Sequence, residues 1–283
     1  MRCCEQMEDV REPRRLSAAP GAAVPAAGKG ELPFLAVCGL WFVLSAAGAA
    51  YWCGPMPGGM EMPGGWTLSM AWMRMPGQSW AGAAVLFLGM WALMMTAMML
   101  PALVPMLLAY RHNLRSAKDR SRAIHSLFAA GGYLAVWIGF GALAYVPGVL
   151  LAALAMNSGL FARCVPALTG IAVVLLGIFQ MTEWKLGQLA RCRAVTSCAT
   201  GTPGGLSAWA QGLHLGLCCL RCNVNLMLVQ LLAGVMDLRF MALLTLAVSA
   251  ERLAPAPRMV ARAVGATIVI AGVALFAGDL IAI

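Results

Sequence analysis

Charged residues are scarce in this chain. Only 11% of its 283 residues are charged and 61% are hydrophobic, whereas soluble domains carry roughly 25% charged residues. This composition excludes an ordinary soluble protein and predicts an integral membrane protein. Histidine is also rare, and with three in the whole chain a multi-haem protein is excluded. The nucleophile elbow, phosphate loop, HExxH and dinucleotide-binding patterns that mark common enzyme classes are absent as well.

Acidic residues are fewer than basic ones, 11 against 20, which gives a formal net charge of +9. The basic residues form no basic and aromatic patch of the kind that binds nucleic acid, so no nucleic-acid partner is expected. Most of them lie in alternate connections between apolar runs, and basic loops tend to stay in the cytoplasm. The pattern predicts a multi-pass protein of a bacterial inner membrane, in contact with the lipid bilayer, with a cytoplasmic N-terminus.

Apolar runs predict an all-α, polytopic bundle of about seven transmembrane helices. A span needs roughly 20 residues, so the short run at 239–253 leaves six spans if it is re-entrant. The polar, then Ala-, Gly- and Pro-rich residues 1–32 predict a disordered cytoplasmic tail, which leaves 33–283 as the transmembrane domain. The runs cover residues 33–53, 82–109, 128–155, 165–182, 212–236, 239–253 and 261–283.

Methionine is abundant, with 20 residues, and two groups are candidate ligands for a soft metal. In the second apolar run, methionines four residues apart share a helix face, and thioethers favour Cu(I). Packing is the alternative, because methionine fills irregular gaps in cores. For the Gly- and Pro-rich loop before this run, metal capture and interfacial anchoring are the alternatives. The run contributes Met90, Met94, Met98, Met95 and Met99; the loop contributes Met60 and Met62, besides Met56, Met70, Met73 and Met75.

The fifth apolar run carries a histidine and two cysteines on one helix face. His214, Cys218 and Cys222 follow each other at intervals of four residues, which is about one helical turn. Imidazole and thiolate are ligands of zinc, copper and iron–sulfur centres. The spacing therefore indicates a metal site. The alternative is that the cysteines only pack and the histidine lies at the membrane interface.

A second spacing in the same run involves Cys219, which points away from Cys218. Cys219 and Cys222 form a Cys-x2-Cys pattern, which occurs in metal sites and in thiol-redox sites. Cys192 and Cys198, in the preceding connection, are able to fold back toward this pair. The site could therefore draw ligands from more than one segment.

Polar side chains end several runs at the same predicted depth. Gln180 and Glu183 end the fourth run and Glu251 ends the sixth, while Asn223 and Asn225 lie in the fifth. Ionisable residues inside membrane helices are costly and usually functional. If these helices are neighbours, Gln180, Glu183 and Glu251 contribute oxygen ligands to one cytoplasmic-side cavity. For Glu251, an interfacial ion pair with the following arginine is the alternative.

Four stretches together resemble a known family. They are MPGGWTLSMAWMRMPGQ at 62–78, FLGMWALMMTAMMLPALVP at 87–105, GIFQMTEWK at 177–185, and CLRCNVNLMLVQLLAGVMDLRFMALLTLAVSAERLAP at 219–255. Their order and spacing resemble a bacterial family of uncharacterised function, described as predicted metal-binding integral membrane proteins (domain of unknown function 2182). The resemblance implies a metal-binding helix bundle over about residues 33–280. Its pattern departs here at Cys218 and Asn223, and it therefore supports Cys219 and Cys222 most.

The sequence thus predicts a membrane protein that binds a soft metal ion for handling or transport across the inner membrane. Copper is the favoured ion and zinc the alternative. A membrane thiol–disulfide oxidoreductase using Cys219 and Cys222, and a structural subunit without metal, are the competing interpretations. A non-enzymatic role is favoured, and the sequence names no protein partner.

Overall fold

The structure is a computed structural model, and it describes residues 31–54, 59–74, 77–114, 119–197, 204–235 and 237–282. Within these ranges the chain forms an all-α bundle, as predicted. It has eight α-helices, and six of them are long and apolar enough to cross a membrane. Nearly all of the predicted tail, as well as Met56, Met75 and Cys198, lies outside the described residues. The helices are α1 (Leu32–Cys53), α2 (Trp80–Asn113), α3 (Asp119–Asn157), α4 (Gly159–Gln180), α5 (Glu183–Ser197), α6 (Gly205–Ala233), α7 (Leu238–Leu253) and α8 (Pro257–Ala282).

Helix α7 corresponds to the short sixth apolar run. It has 16 residues, which at 1.5 Å each is about 24 Å, less than the roughly 30 Å of a hydrocarbon core. Asp237 starts the helix by accepting hydrogen bonds from the backbone N–H groups of Arg239 and Phe240. Six helices are therefore long and apolar enough to cross a membrane, and a seventh crossing by α7 stays a prediction.

Two elements have no counterpart in the hydropathy pattern. Helix α5 fills the connection between the fourth and fifth apolar runs and buries Lys185, Leu189 and Cys192, which are spaced four and three residues apart on one face. In the loop before α2, strands β1 (Met60–Met62) and β2 (Trp66–Leu68) form an antiparallel hairpin. The buried face of α5 is important for the site described below, because it places Lys185 and Cys192 inside the bundle.

Glycines set the position of α6 against α3. A Cβ atom on Gly212 would lie 2.1 Å from the carbonyl oxygen of Ala129, and one on Gly132 would lie 2.4 Å from that of Trp209. Only glycine allows the two backbones to approach this closely, as small residues do in many membrane helix pairs. The α3–α6 contact therefore fixes the helix that carries the clustered cysteines.

Polar contacts show which helix ends lie together. Arg111, at the end of α2, donates to Glu31 just before α1 at 2.7 Å, and Arg122 of α3 lies 3.7 Å from the same carboxylate. At this end as well, the backbone N–H of Gly204, before α6, donates to Nε2 of His125 in α3 at 3.1 Å. The beginnings of α1, α3 and α6 and the end of α2 therefore share one end of the bundle, which we call the Arg111 end.

Candidate metal centre

Four buried sulfur atoms lie around the guanidinium of Arg252, at the end of α7. Nη2 of Arg252 is 3.2 Å from Sγ of Cys192, and Nη1 is 3.5 Å from Sδ of Met106. Cys222 donates a hydrogen bond to Cys192, and Cys219 is close enough to Arg252 for a direct electrostatic interaction. We call Met106, Cys192, Cys219 and Cys222 the sulfur cluster. Its members come from α2, α5 and α6.

Cys192 is the cluster member that favours its thiolate form. The hydrogen bond from Cys222, together with the charges of Arg252 and Lys185, lowers the pKa of Cys192 to about 6. Burial of the thiol acts in the opposite direction and is outweighed. The thiolate, and not the thiol, is the form of cysteine that binds metals and attacks disulfides. A soft anionic ligand is therefore available at neutral pH.

The two cysteines of the Cys-x2-Cys pattern have different partners. Tyr133 donates its hydroxyl to Sγ of Cys219 at 2.9 Å, and the side-chain amide of Asn223 lies 3.4 Å from the same sulfur. The thiol of Cys222 instead faces two acceptors of α5, the carbonyl oxygen of Gln188 at 3.3 Å and the sulfur of Cys192, to which it donates a hydrogen bond. The sulfur that contacts Cys222 is thus supplied by α5, in line with the expectation that Cys192 folds back.

The predicted ladder of His214, Cys218 and Cys222 is divided between two surroundings. His214 is exposed on the outer surface of α6, Cys218 is half-buried, and their Nε2 and Sγ atoms are 3.9 Å apart. Cys222 is buried in the bundle. Each step of four residues rotates by about 40°, and two such steps are enough to turn Cys222 from the exposed side of α6 to the core.

A buried polar network adjoins the sulfur cluster. Nζ of Lys185 lies 2.9 Å from Oε2 of Glu251, with both side chains completely buried, and also donates to the backbone oxygen of Cys222. Gln180 donates to the other oxygen of Glu251, and Asn225 donates to the side-chain oxygen of Gln180. The network joins α4, α5, α6 and α7, and it satisfies charges that would otherwise be very costly to bury.

Glu183 is separate from this network. Its side chain is 63% exposed and lies 3.4 Å from Arg258 and 3.1 Å from Arg262 of α8. Of the predicted oxygen ligands, Gln180 and Glu251 are thus brought together, and Glu183 is at the surface.

The methionines of α2 lie in the core. Met90, Met94, Met95, Met98 and Met99 are all buried, which fits packing and equally fits a row of enclosed thioethers. Of the two loop methionines that lie in β1 of the hairpin, Met60 is exposed and Met62 is buried.

Two of three further residues at the site carry a recognisable signal in the sequence. Met106 follows Met99 by seven residues and so shares its helix face, about 10 Å further along. Lys185 belongs to the basic connection after the fourth apolar run, but it lies within one helical turn of the end of that run. Tyr133 gives no signal, because a tyrosine inside an apolar run is ordinary.

In the part of the chain that the structure describes, no group of three or more His, Cys, Asp or Glu side chains is already arranged to hold a metal ion. The guanidinium of Arg252 lies among the sulfur atoms instead. Binding of a metal ion by the cluster therefore requires that Arg252 and the cysteines rearrange.

A family model, PpoB2, described as a copper chaperone, matches residues 88–275. This is more than half of the chain, and it includes the sulfur cluster and the polar network. The match shows a copper-related family. It does not extend to domain of unknown function 2182 or to a family of membrane proteins. Neither the curated proteins nor the solved structures give a match.

Proposed function

Because the chain belongs to the PpoB2 copper chaperone family, we propose that it binds Cu(I) as cargo and hands it across a bacterial inner membrane. The sulfur cluster is the observation that carries this proposal. Thiolate and thioether groups select Cu(I), and here they come from three helices and are buried together. The cluster therefore has both the ligand type and the protection from water that a copper carrier needs.

Copper suits the cluster better than zinc does. Structural zinc sites are closed and tetrahedral, with four protein ligands from Cys, His and carboxylates. His214 is exposed on the outer surface of α6, and Glu251 is already paired with Lys185. The groups that remain near Cys192 and Cys222 are sulfur atoms, which favour a softer ion.

The proposed route runs along α2. Met60 and Met62 of the hairpin capture the ion, and the buried methionines from Met90 to Met99 pass it toward Met106. Met95, Met99 and Met106 share one face and extend over about 16 Å. Cys192 and Cys222 then receive the ion, because thiolate binds Cu(I) more strongly than thioether does. On the proposed topology, the Arg111 end is cytoplasmic.

The test is Cu(I) binding by the full chain in detergent, measured anaerobically by competition with a chromogenic Cu(I) chelator. We expect the wild-type protein to bind Cu(I) and Cys192→Ser/Cys222→Ser to lose at least about 100-fold in affinity, because changes outside the ligand shell alone cost 10–100-fold. Cys38→Ser/Cys164→Ser, which leaves the cluster intact, is the matched control. Equal binding by both double variants, or no binding by wild type, contradicts the proposal.

A second candidate function is thiol–disulfide exchange, favoured by the contact between the Cys192 thiolate and the Cys222 thiol. In this reaction the thiolate attacks a disulfide of a partner protein, that disulfide is reduced to two thiols, and Cys192 and Cys222 become linked. Mass spectrometry after incubation with an oxidised dithiol protein distinguishes the two functions. Stoichiometric formation of the Cys192–Cys222 disulfide supports exchange, whereas its absence excludes exchange as a function of this pair.

A further inference from the structure

Arg252 lies where a cargo cation would be expected. Its two terminal nitrogens contact sulfur atoms on two different helices, Cys192 of α5 at 3.2 Å and Met106 of α2 at 3.5 Å. A guanidinium keeps its positive charge in proteins and acts only as a donor. One monovalent cation, attached to α7, therefore bridges two proposed ligands of another monovalent cation, Cu(I).

The other charged residues near Arg252 have partners of their own, so the sulfur cluster is what balances the charge of Arg252. Lys185 is paired with Glu251 at 2.9 Å, and Arg193 donates to the backbone oxygens of Glu251 and Ala254 at 3.4 and 2.9 Å. Within the described residues, no carboxylate lies at ion-pair distance from Arg252. The sulfur that faces its guanidinium at 3.2 Å is that of Cys192, which supplies the balancing negative charge as a thiolate.

The position of Arg252 also limits how firmly it is held. Its Nε atom is buried and has no hydrogen-bond partner among the described residues, which lowers the stability of this arrangement. The residue lies in the last turn of α7, and the helix ends one residue later at Leu253. The side chain thus begins near the edge of the bundle and reaches inward to the cluster.

We propose that Arg252 is a tethered counter-cation that competes with Cu(I) for the sulfur cluster, so that Cu(I) enters as the guanidinium leaves and is released as it returns. This rests on the proposed function of the cluster. At the Cys192 thiolate and the Met106 thioether, which are the two sulfur atoms that Arg252 contacts, one positive charge replaces another, so the net charge there stays constant. The two sulfur–guanidinium contacts break and two sulfur–copper bonds form, without a redox change and without a proton transfer. Arg252 is a regulatory residue on this account, since it lowers the affinity for Cu(I).

The experiment measures Cu(I) affinity and the rate of Cu(I) release to a chelator for the full chain in detergent. Arg252→Gln retains polar contacts but removes the competing charge. We expect its affinity to rise at least about 10-fold over wild type, with slower release. Arg193→Gln is the matched control, because Arg193 of α5 contacts the same end of α7 but binds only backbone oxygens there. We expect its affinity to stay within about twofold of wild type.

A second variant covers the case in which Arg252→Gln does not fold. Arg252→Lys keeps the charge but lacks the fork that reaches two sulfurs at once, so it should bind Cu(I) more tightly than wild type. Unchanged or weaker binding by whichever variant folds overturns the inference and makes Arg252 a positioning residue. If wild type binds Cu(I) and neither variant gains affinity, only this inference fails. If no protein binds Cu(I), the proposed function itself fails.

Discussion

Breaking the ion pair between Lys185 and Glu251 should strongly destabilise the protein. Their Nζ and Oε2 atoms are 2.9 Å apart and both side chains are completely buried. Glu251→Gln keeps the size of the side chain but leaves the lysine charge without a counter-charge. Removing one partner of a buried pair costs about 3–5 kcal/mol, which is a large part of the roughly 5–15 kcal/mol that stabilises a typical protein.

Unfolding in mixed micelles with increasing SDS, followed by the fluorescence of the nine tryptophans, measures this loss. Glu183→Gln is the matched control, because Glu183 also pairs with basic residues, Arg258 and Arg262, but its side chain is 63% exposed. Exposed pairs contribute at most about 1 kcal/mol. We therefore expect the free energy of unfolding to fall much more for Glu251→Gln than for Glu183→Gln.

A double variant identifies the cause of the loss. Replacing a whole buried pair by uncharged groups is often neutral or even stabilising, so Lys185→Met combined with Glu251→Gln should regain most of the stability. The difference between the summed single effects and the double effect is the coupling energy of the pair. If Glu251→Gln costs no more than Glu183→Gln, or the double variant is no more stable than the single one, the assignment of this buried pair is wrong.

Three further predictions concern the cluster, the helix packing and the route. Because the folded-state pKa of Cys192 is lowered from 9 to about 6, its stabilisation is complete above pH 9 and disappears as pH falls through 6. Thermal unfolding scans should show wild type losing roughly 2 kcal/mol between pH 8 and pH 6, and Cys192→Ser losing little; parallel curves would contradict this. Gly212→Ala should sharply lower the unfolding midpoint, since its Cβ would lie 2.1 Å from a backbone oxygen of α3, whereas Gly39→Ala, with no atom within 4 Å of the added Cβ, should not; equal midpoints would contradict the α3–α6 contact. Met94→Leu/Met98→Leu should slow Cu(I) transfer in proteoliposomes without loss of folded protein, and an unchanged transfer rate would leave these methionines a packing role only.

The long helices were predictable because a membrane span must satisfy its own backbone and present apolar side chains to lipid. Both demands leave a hydropathy signal about 20 residues long. Helix α5 leaves no such signal, because it is short and only one of its faces is buried. The inward position of Lys185 and Cys192 therefore depends on tertiary packing, which the hydropathy profile of the sequence does not reveal.

The candidate site was predictable as a set of residue types but not as an arrangement. Helical spacing placed His214, Cys218 and Cys222 together, yet the direction in which α6 turns its faces depends on its glycine contact with α3. That contact directs Cys222 into the core and leaves His214 outside. Pro101 and Pro105 lie between Met99 and Met106, and these two methionines share a face because the helix runs through both prolines.

The adjacency of Glu251 and Arg252 explains how a mobile cation and a fixed network can occupy the same helix end. Consecutive residues on a helix point about 100° apart, so Glu251 faces Lys185 and Gln180 while Arg252 faces the sulfur cluster. Glu251 is held on both carboxylate oxygens and anchors the last turn of α7. Arg252 is held by contacts with sulfur atoms, which accept hydrogen bonds more weakly than a carboxylate does. Its side chain can therefore leave the cluster while α7 stays in place, so copper entry need not break the polar network that positions Cys222.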